Sequence, residues 1–317
     1  MNEQELINQM IEEDDAYTYV EYMRKENLKS SEAAKAAFEH AILYPNTSII
    51  YKYASNDIRD AIINELNKEE LDETVNVNNL LMALAQIGDD VVFEAFSKWE
   101  EQPPKWREEL YVGPASYAME GGWCIENGKK KMLTYNRCYS LHKTDNPLEA
   151  DIVMGGVSKQ KCPYCESSYS NLLVLDGKDE RLSDIGIKGK IKIKYCGSCV
   201  PYEPFTFSKY EVNGEGEVIH RTDGEDYYVE DEDLNELTYF KLSKEPVSDI
   251  YCNEFERSAI GGFPAFINDA EYADCPICNK KMKHFAQLSE EDSGAGGTIY
   301  VQICTDCETA AVHYQQT

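Results

Sequence analysis

Basic residues are scarce in this sequence: 31 Lys and Arg stand against 58 Asp and Glu, for a formal net charge of −27. A field of that sign repels phosphate backbones and anionic membrane surfaces and attracts basic partners. It argues against nucleic-acid binding and leaves two readings of the charge, solubility alone or a basic protein partner. No stretch reaches the ~18 consecutive apolar residues of a membrane span, so no membrane association is expected. The opening residues, Met1-Asn2-Glu3-Gln4-Glu5-Leu6, are acidic and polar, where a secretory signal carries a basic stretch and then an apolar run. A cytoplasmic location is expected. A phosphate-binding glycine loop, a Ser-His-Asp signature and an HExxH motif are missing as well. The five histidines, His40, His142, His220, His284 and His313, are scattered. His284 and His313 read as packing or supporting groups beside a metal site.

There is ample material for packed cores, with 42% hydrophobic and 11% aromatic residues over 317 positions, enough for about two domains. Residues 2 to 101 carry helical spacing. Ser30-Ser31-Glu32 opens a helix through Ala33–Leu43, and Ile58–Leu66 continues the pattern. The clearest piece runs from Asn78 to Trp99, where Leu80, Leu81, Leu84, Ile87, Val91, Phe93 and Phe96 keep a ~3.6 period across a break at Gly88-Asp89-Asp90. Pro103-Pro104 cannot continue a helix and marks the expected boundary between domains 1–104 and 105–317. Beyond it come short β-type runs at Met132–Tyr135, Leu172–Leu175, Ile187–Tyr195, Phe205–Tyr210, Tyr239–Leu242 and Thr298–Ile303, separated by Gly, Asn and Asp. The acidic stretch Glu211–Glu236 lacks the spacing of a calcium loop and reads as a solvated connection, with a contact for a basic partner as the rival reading.

Eight of the 11 cysteines form four Cys-x-x-Cys pairs: Cys162/Cys165, Cys196/Cys199, Cys275/Cys278 and Cys304/Cys307. In a reducing compartment such pairs read as metal ligands before disulfides. Two knuckles roughly 25–30 residues apart, one followed by a β-type run and the other preceded by a strand, suit a zinc-ribbon-like site. Zinc takes four thiolates tetrahedrally when its role is structural. Two zinc ions per chain are expected, one on Cys162, Cys165, Cys196 and Cys199, the other on Cys275, Cys278, Cys304 and Cys307. The rivals fit less well. A thioredoxin-like motif needs one pair at a helix start, and iron–sulfur clusters use other spacings. Catalytic zinc needs an open coordination position. Cys124, Cys138 and Cys252 remain and read as buried apolar thiols.

The parts around the cysteines recur in the same order: Gly155-Gly156, a Cys-Pro-x-Cys knuckle, a β-type run, a strand and a second knuckle, then again from Gly261-Gly262. This suggests an internal duplication, with copies at about 105–210 and 240–317. The segment LLMALAQIGDDVVFEAFSKW resembles one unit of a HEAT-type helical repeat. The C-terminal stretch AIGGFPAFINDAEYADCPICNKKMKHFAQL, followed by GGTIYVQICTDC, resembles the YwqG-like family of uncharacterised bacterial proteins. Gly261, Gly262, Phe263, Pro264, Phe285, Gln287 and Leu288 carry the likeness. The resemblance implies a duplicated α+β fold with no established activity. Its setting near bacterial toxin systems suggests toxin neutralisation.

The expected architecture is therefore α+β, a helical HEAT-like front end followed by a duplicated region with two zinc-ribbon-like four-cysteine sites. The expected role is a non-enzymatic bacterial interaction protein, an immunity-type inhibitor whose acidic surface docks on a basic toxin. The alternatives are an enzyme with a site around Trp123, Arg137, Tyr139 and His142, and a nucleic-acid-binding zinc ribbon, which the charge disfavours.

Overall fold

The computed structural model describes residues 2–40, 45–72, 75–219, 236–252, 254 and 256–316. The chain divides into two compact units, Met1–Leu133 and Thr134–Thr317.

The first unit is helical: α1 (Glu3–Glu13), α2 (Tyr17–Glu26), α3 (Glu32–Glu39), a 3₁₀ segment (Pro45–Tyr53), α4 (Asn56–Leu66), α5 (Val77–Ile87), α6 (Asp90–Glu101) and the short α7 (Pro114–Tyr117). The last part of the helix expected through Leu43, residues 41–43, lies outside the described residues. Local chemistry sets the helix ends. The Asn2 side chain accepts the Glu5 N–H, and the Glu5 carboxylate accepts the Asn2 N–H. This reciprocal pair satisfies two donors that a bare helix start leaves open. Between α5 and α6, Gly88 takes a left-handed conformation (φ 52°) and the Asp89 side chain caps α6 by accepting the Val92 N–H. The break expected at Gly88-Asp89-Asp90 is thus a C-cap followed at once by an N-cap. The apolar stripe differs at one point, since Val91 is exposed and Val92 takes the core position.

Pro103-Pro104 follows α6, yet the chain stays on the same core. The Trp106 indole N–H donates to the Leu66 carbonyl and that of Trp123 to the Ala85 carbonyl, each at 2.9 Å. Trp99 and Trp106 meet edge to face with centroids 5.5 Å apart. These buried indoles hold residues 105–133 against α4, α5 and α6. The unit closes with a hairpin of β1 (Trp123–Glu126) and β2 (Lys129–Met132), turned at Asn127-Gly128 with both φ positive, as a tight two-residue hairpin turn requires.

The second unit is antiparallel throughout its described pairings. Its strands are β3 (Tyr135–Lys143), β4 (Ile152–Met154), β5 (Val157–Lys161), β6 (Ser168–Asp176), β7 (Lys190–Tyr195), β8 (Thr206–Lys209), β9 (Glu217–Ile219), β10 (Thr238–Leu242), β11 (Ala259–Gly262), β12 (Lys283–Leu288), β13 (Thr298–Cys304) and β14 (Thr309–Gln315), with a short α8 (Glu290–Ser293) and 3₁₀ turns at Pro147–Glu149 and Glu180–Leu182. All twelve strands join one sheet in the order β5-β6-β4-β10-β3-β11-β12-β13-β14-β8-β9, with β7 on the other edge of β6. β4 and β5 pair with opposite halves of β6. The chain jogs between them at Gly155-Gly156 (φ 90° and 82°), where a Cβ on Gly155 would sit 1.9 Å from the Glu236 carbonyl oxygen. The run expected at Met132–Tyr135 is the junction between β2 and β3.

The sheet curls until its ends meet. On β7 the Lys190 carbonyl accepts the Asn213 N–H at 2.7 Å, and the Lys190 N–H donates to Asn213 Oδ1 at 3.2 Å. One face encloses a continuous core that includes Leu173, Ile191, Phe240, Ile260, Phe285 and Val301. The other face of β12, β13 and β14 is covered by residues 263–274, held by three buried glutamines. Gln287, Gln302 and Gln315 each accept a backbone N–H from that segment, at Ala265, Ala273 and Ile267. The amide groups of Gln302 and Gln315 also donate to its carbonyls, at Glu271 and Asp269. Each side-chain amide stands in for a strand partner that an irregular segment cannot provide.

Candidate metal centres

The four Cys-x-x-Cys pairs come together as two sets of four. In each set, Cys162, Cys165, Cys196 and Cys199, or Cys275, Cys278, Cys304 and Cys307, all four sulfurs lie within 4.8 Å of one another. The strands explain the assembly. The first set joins the knuckle between β5 and β6 to the one after β7, and β6 pairs with β7. The second joins the knuckle before β12 to the one at the end of β13, and β12 pairs with β13. Antiparallel pairing brings residues roughly 30 positions apart to one end of a hairpin.

The separations are those of metal ligands. Cys162–Cys199, Cys165–Cys196 and Cys165–Cys199 are 3.7, 3.5 and 3.5 Å apart, and Cys278–Cys304 are 3.8 Å apart. Four ligands at ~2.3 Å from a tetrahedrally coordinated ion stand about 3.8 Å from each other, whereas a disulfide needs ~2.05 Å. None of the cysteines is in a disulfide.

The two first knuckles share a backbone pattern. The Cys162 N–H donates to the Ser167 carbonyl and the Glu166 N–H to the Cys162 carbonyl. At equivalent offsets the Cys275 N–H donates to Lys280 and the Asn279 N–H to Cys275. Glu166 (φ 60°) and Asn279 (φ 57°) both take the left-handed conformation that turns the chain back. Backbone N–H groups of Tyr164 and Cys165 point at the Cys162 sulfur, and that of Cys199 points at the Cys196 sulfur. Lys280 and Cys307 do the same for Cys278 and Cys304. Such donors offset the charge of thiolates taken out of water.

The first set already favours one thiolate. The hydrogen bond from the Cys199 thiol lowers Cys196 to about 6 against the opposing effect of burial, while that same hydrogen bond, and then burial, hold the Cys199 thiol up. A divalent cation would complete the deprotonation of the set. Sequence reading missed Tyr169, a buried residue of β6 whose hydroxyl hydrogen-bonds Cys162. It also missed Ser167 and Ser198, whose hydroxyls link the two knuckles at 3.2 Å. Such supporting contacts fix ligand orientation.

Two sets of four sulfurs fit two metal ions. The other nominated residues do not gather with them. Trp123 belongs to the helical unit, with its indole committed to Ala85. Arg137, Tyr139 and His142 lie on β3 of the second unit, where Tyr139 enters the core and His142 pairs with the Ser140 hydroxyl at 2.8 Å. His284 is buried on β12, and its imidazole is pushed down to about 3 by burial. The buried His313 donates Nδ1–H to the Pro204 carbonyl and sets Nε2 3.0 Å from the Glu271 carboxylate. Cys124, Cys138 and Cys252 are buried, the last two in one cluster with Ala259. Of the acidic stretch, residues 220–235 lie outside the described residues. No helix among the described residues is long and apolar enough to cross a membrane.

The chain is similar to the uncharacterised protein YpfL of Salmonella typhimurium, with 32% identity over 284 residues, 83% of this chain and 64% of that relative. It therefore spans less than two thirds of the relative's length. It matches no protein-family profile, and no solved structure gives a significant match.

Proposed function

We propose that the chain is a non-enzymatic interaction protein held in shape by two structural zinc ions and acting on a basic protein partner. The observation that carries the reading is the completeness of both thiolate sets, four sulfurs each within 4.8 Å. A tetrahedral ion with four protein ligands keeps no open position for a substrate or water. Zinc is favoured among the metals because it accepts four thiolates without redox chemistry or a demand for another geometry. It also suits a reducing, cytoplasmic setting, where free thiols persist.

The partner follows from charge. A chain of net charge −27 accelerates encounter with a basic protein and disfavours nucleic acid. In this proposal the helical unit serves as a HEAT-like contact surface, with α5 and α6 as one repeat. The matched knuckles of the second unit derive from a duplication, as the YwqG-like resemblance implies. Toxin neutralisation is the biological role that this combination supports. Affinity purification of the full chain from its host, followed by reconstitution with the recovered partner, tests the reading. The expected result is a basic partner whose affinity falls at least about tenfold from ~50 to ~200 mM salt as screening shortens. A bound metabolite that is chemically converted, or a partner insensitive to salt, would overturn it.

A further inference from the structure

A groove lies against the first thiolate set. Three of the four cysteines, Cys162, Cys196 and Cys199, are among its lining residues and are buried. Tyr164, Tyr169 and Phe205 supply aromatic surface, Glu203 a carboxylate, and no lysine or arginine is among the lining residues. Thr206, also in the lining, has a buried Oγ1 with no hydrogen-bond partner among the described residues. With a divalent ion bound, four thiolates leave two net negative charges at this spot, and Glu203 adds a third.

We propose that this groove is a receptor for a cationic side chain, the guanidinium of an arginine on the partner surface. Aromatic faces attract a cation through their quadrupole, most strongly where water is excluded. A planar guanidinium carries donors enough for thiolate sulfur and the Glu203 carboxylate together. An anion would meet repulsion from every charged group in the lining. A purely apolar ligand would leave the charge uncompensated. The inference rests on the metal-bound reading of the first site, and it names the residue type by which the proposed basic partner would be anchored.

The test titrates the full, metal-loaded chain with n-butylguanidinium and with its uncharged isostere n-butylurea, following backbone amide shifts by NMR while the metal content of the same sample is measured. The guanidinium should shift Tyr164, Glu203 and Thr206 saturably, and the urea should bind at least about tenfold more weakly, as loss of a desolvated cation–π and charge contact implies. Glu203→Gln, at a half-buried position, should weaken the guanidinium about fivefold without changing metal content. Equal binding of the urea, or no saturable shift in a fully loaded chain, would overturn the groove and leave the two-metal reading standing. A sample that holds no metal would overturn both.

Discussion

Val218 packs against the cluster that holds Cys162, Cys196 and Cys199, and Ile219, its neighbour on β9, packs against the cluster that holds Cys275. One short hairpin, β8–β9, thus borders the clusters around both centres. Phe205, just before β8, packs at the cluster that holds Cys275 and lines the groove beside the first set. Loss of one metal should loosen this shared wall. In Cys196→Ser the remaining metal should pass to a chelator roughly fivefold faster than the same site releases it in the parent chain, for a coupling of about 1 kcal/mol between neighbouring groups. Identical release rates would show that the centres are independent.

Asp89 has two tasks in the helical unit. One oxygen caps α6 at the Val92 N–H, and the other accepts Arg59, whose side chain is only 11% exposed. Asp89→Asn keeps the cap and loses the charge, so a cost of about 1 kcal/mol is expected. Asp89→Ala loses both and leaves part of the buried guanidinium unpaired, for about 2 kcal/mol. For a unit of this size these translate to roughly 4 and 8 °C in Tm. Equal melting of the two variants would remove the capping role.

How much of this was legible in the sequence depends on how local the cause is. The cap at Gly88-Asp89 and the four cysteine pairs depend on neighbours within a few residues, and both stood out. The pairing of β8 with β14 joins positions about a hundred apart and leaves no periodic trace. Buried Gln287, Gln302 and Gln315 look like surface residues until the segment that they hold is seen lying on them. The prolines after α6 read as a boundary because they end a helix, but Trp106 and Trp123 carry the same core on to Leu133. Tyr169 supports the first centre from the start of β6, ahead of the run expected at Leu172–Leu175.

His284 should make stability depend on pH. It is buried, its Nδ1 has no hydrogen-bond partner among the described residues, and burial lowers it to about 3. An unfolded histidine titrates near ~6.5, so below that pH the unfolded chain takes up a proton that the folded chain refuses. The contribution is fully present above ~6.5 and is lost as pH falls toward 3. Between pH 7 and 5.5 the parent should lose about 1 kcal/mol more than His284→Leu, read from denaturant midpoints at matched metal content. Parallel pH profiles would mean that the buried imidazole is not held neutral.

The central claim is the occupancy of the two tetrathiolate sets, and elemental analysis of the intact chain purified without chelator tests it most directly. Two zinc ions per chain are predicted, with Cys162→Ser or Cys275→Ser lowering the count to about one and destabilising the fold, since a closed site contributes its binding free energy to folding. A count near zero, with the eight cysteines found in disulfides or freely titratable in a chain that keeps its full thermal stability, would contradict the account.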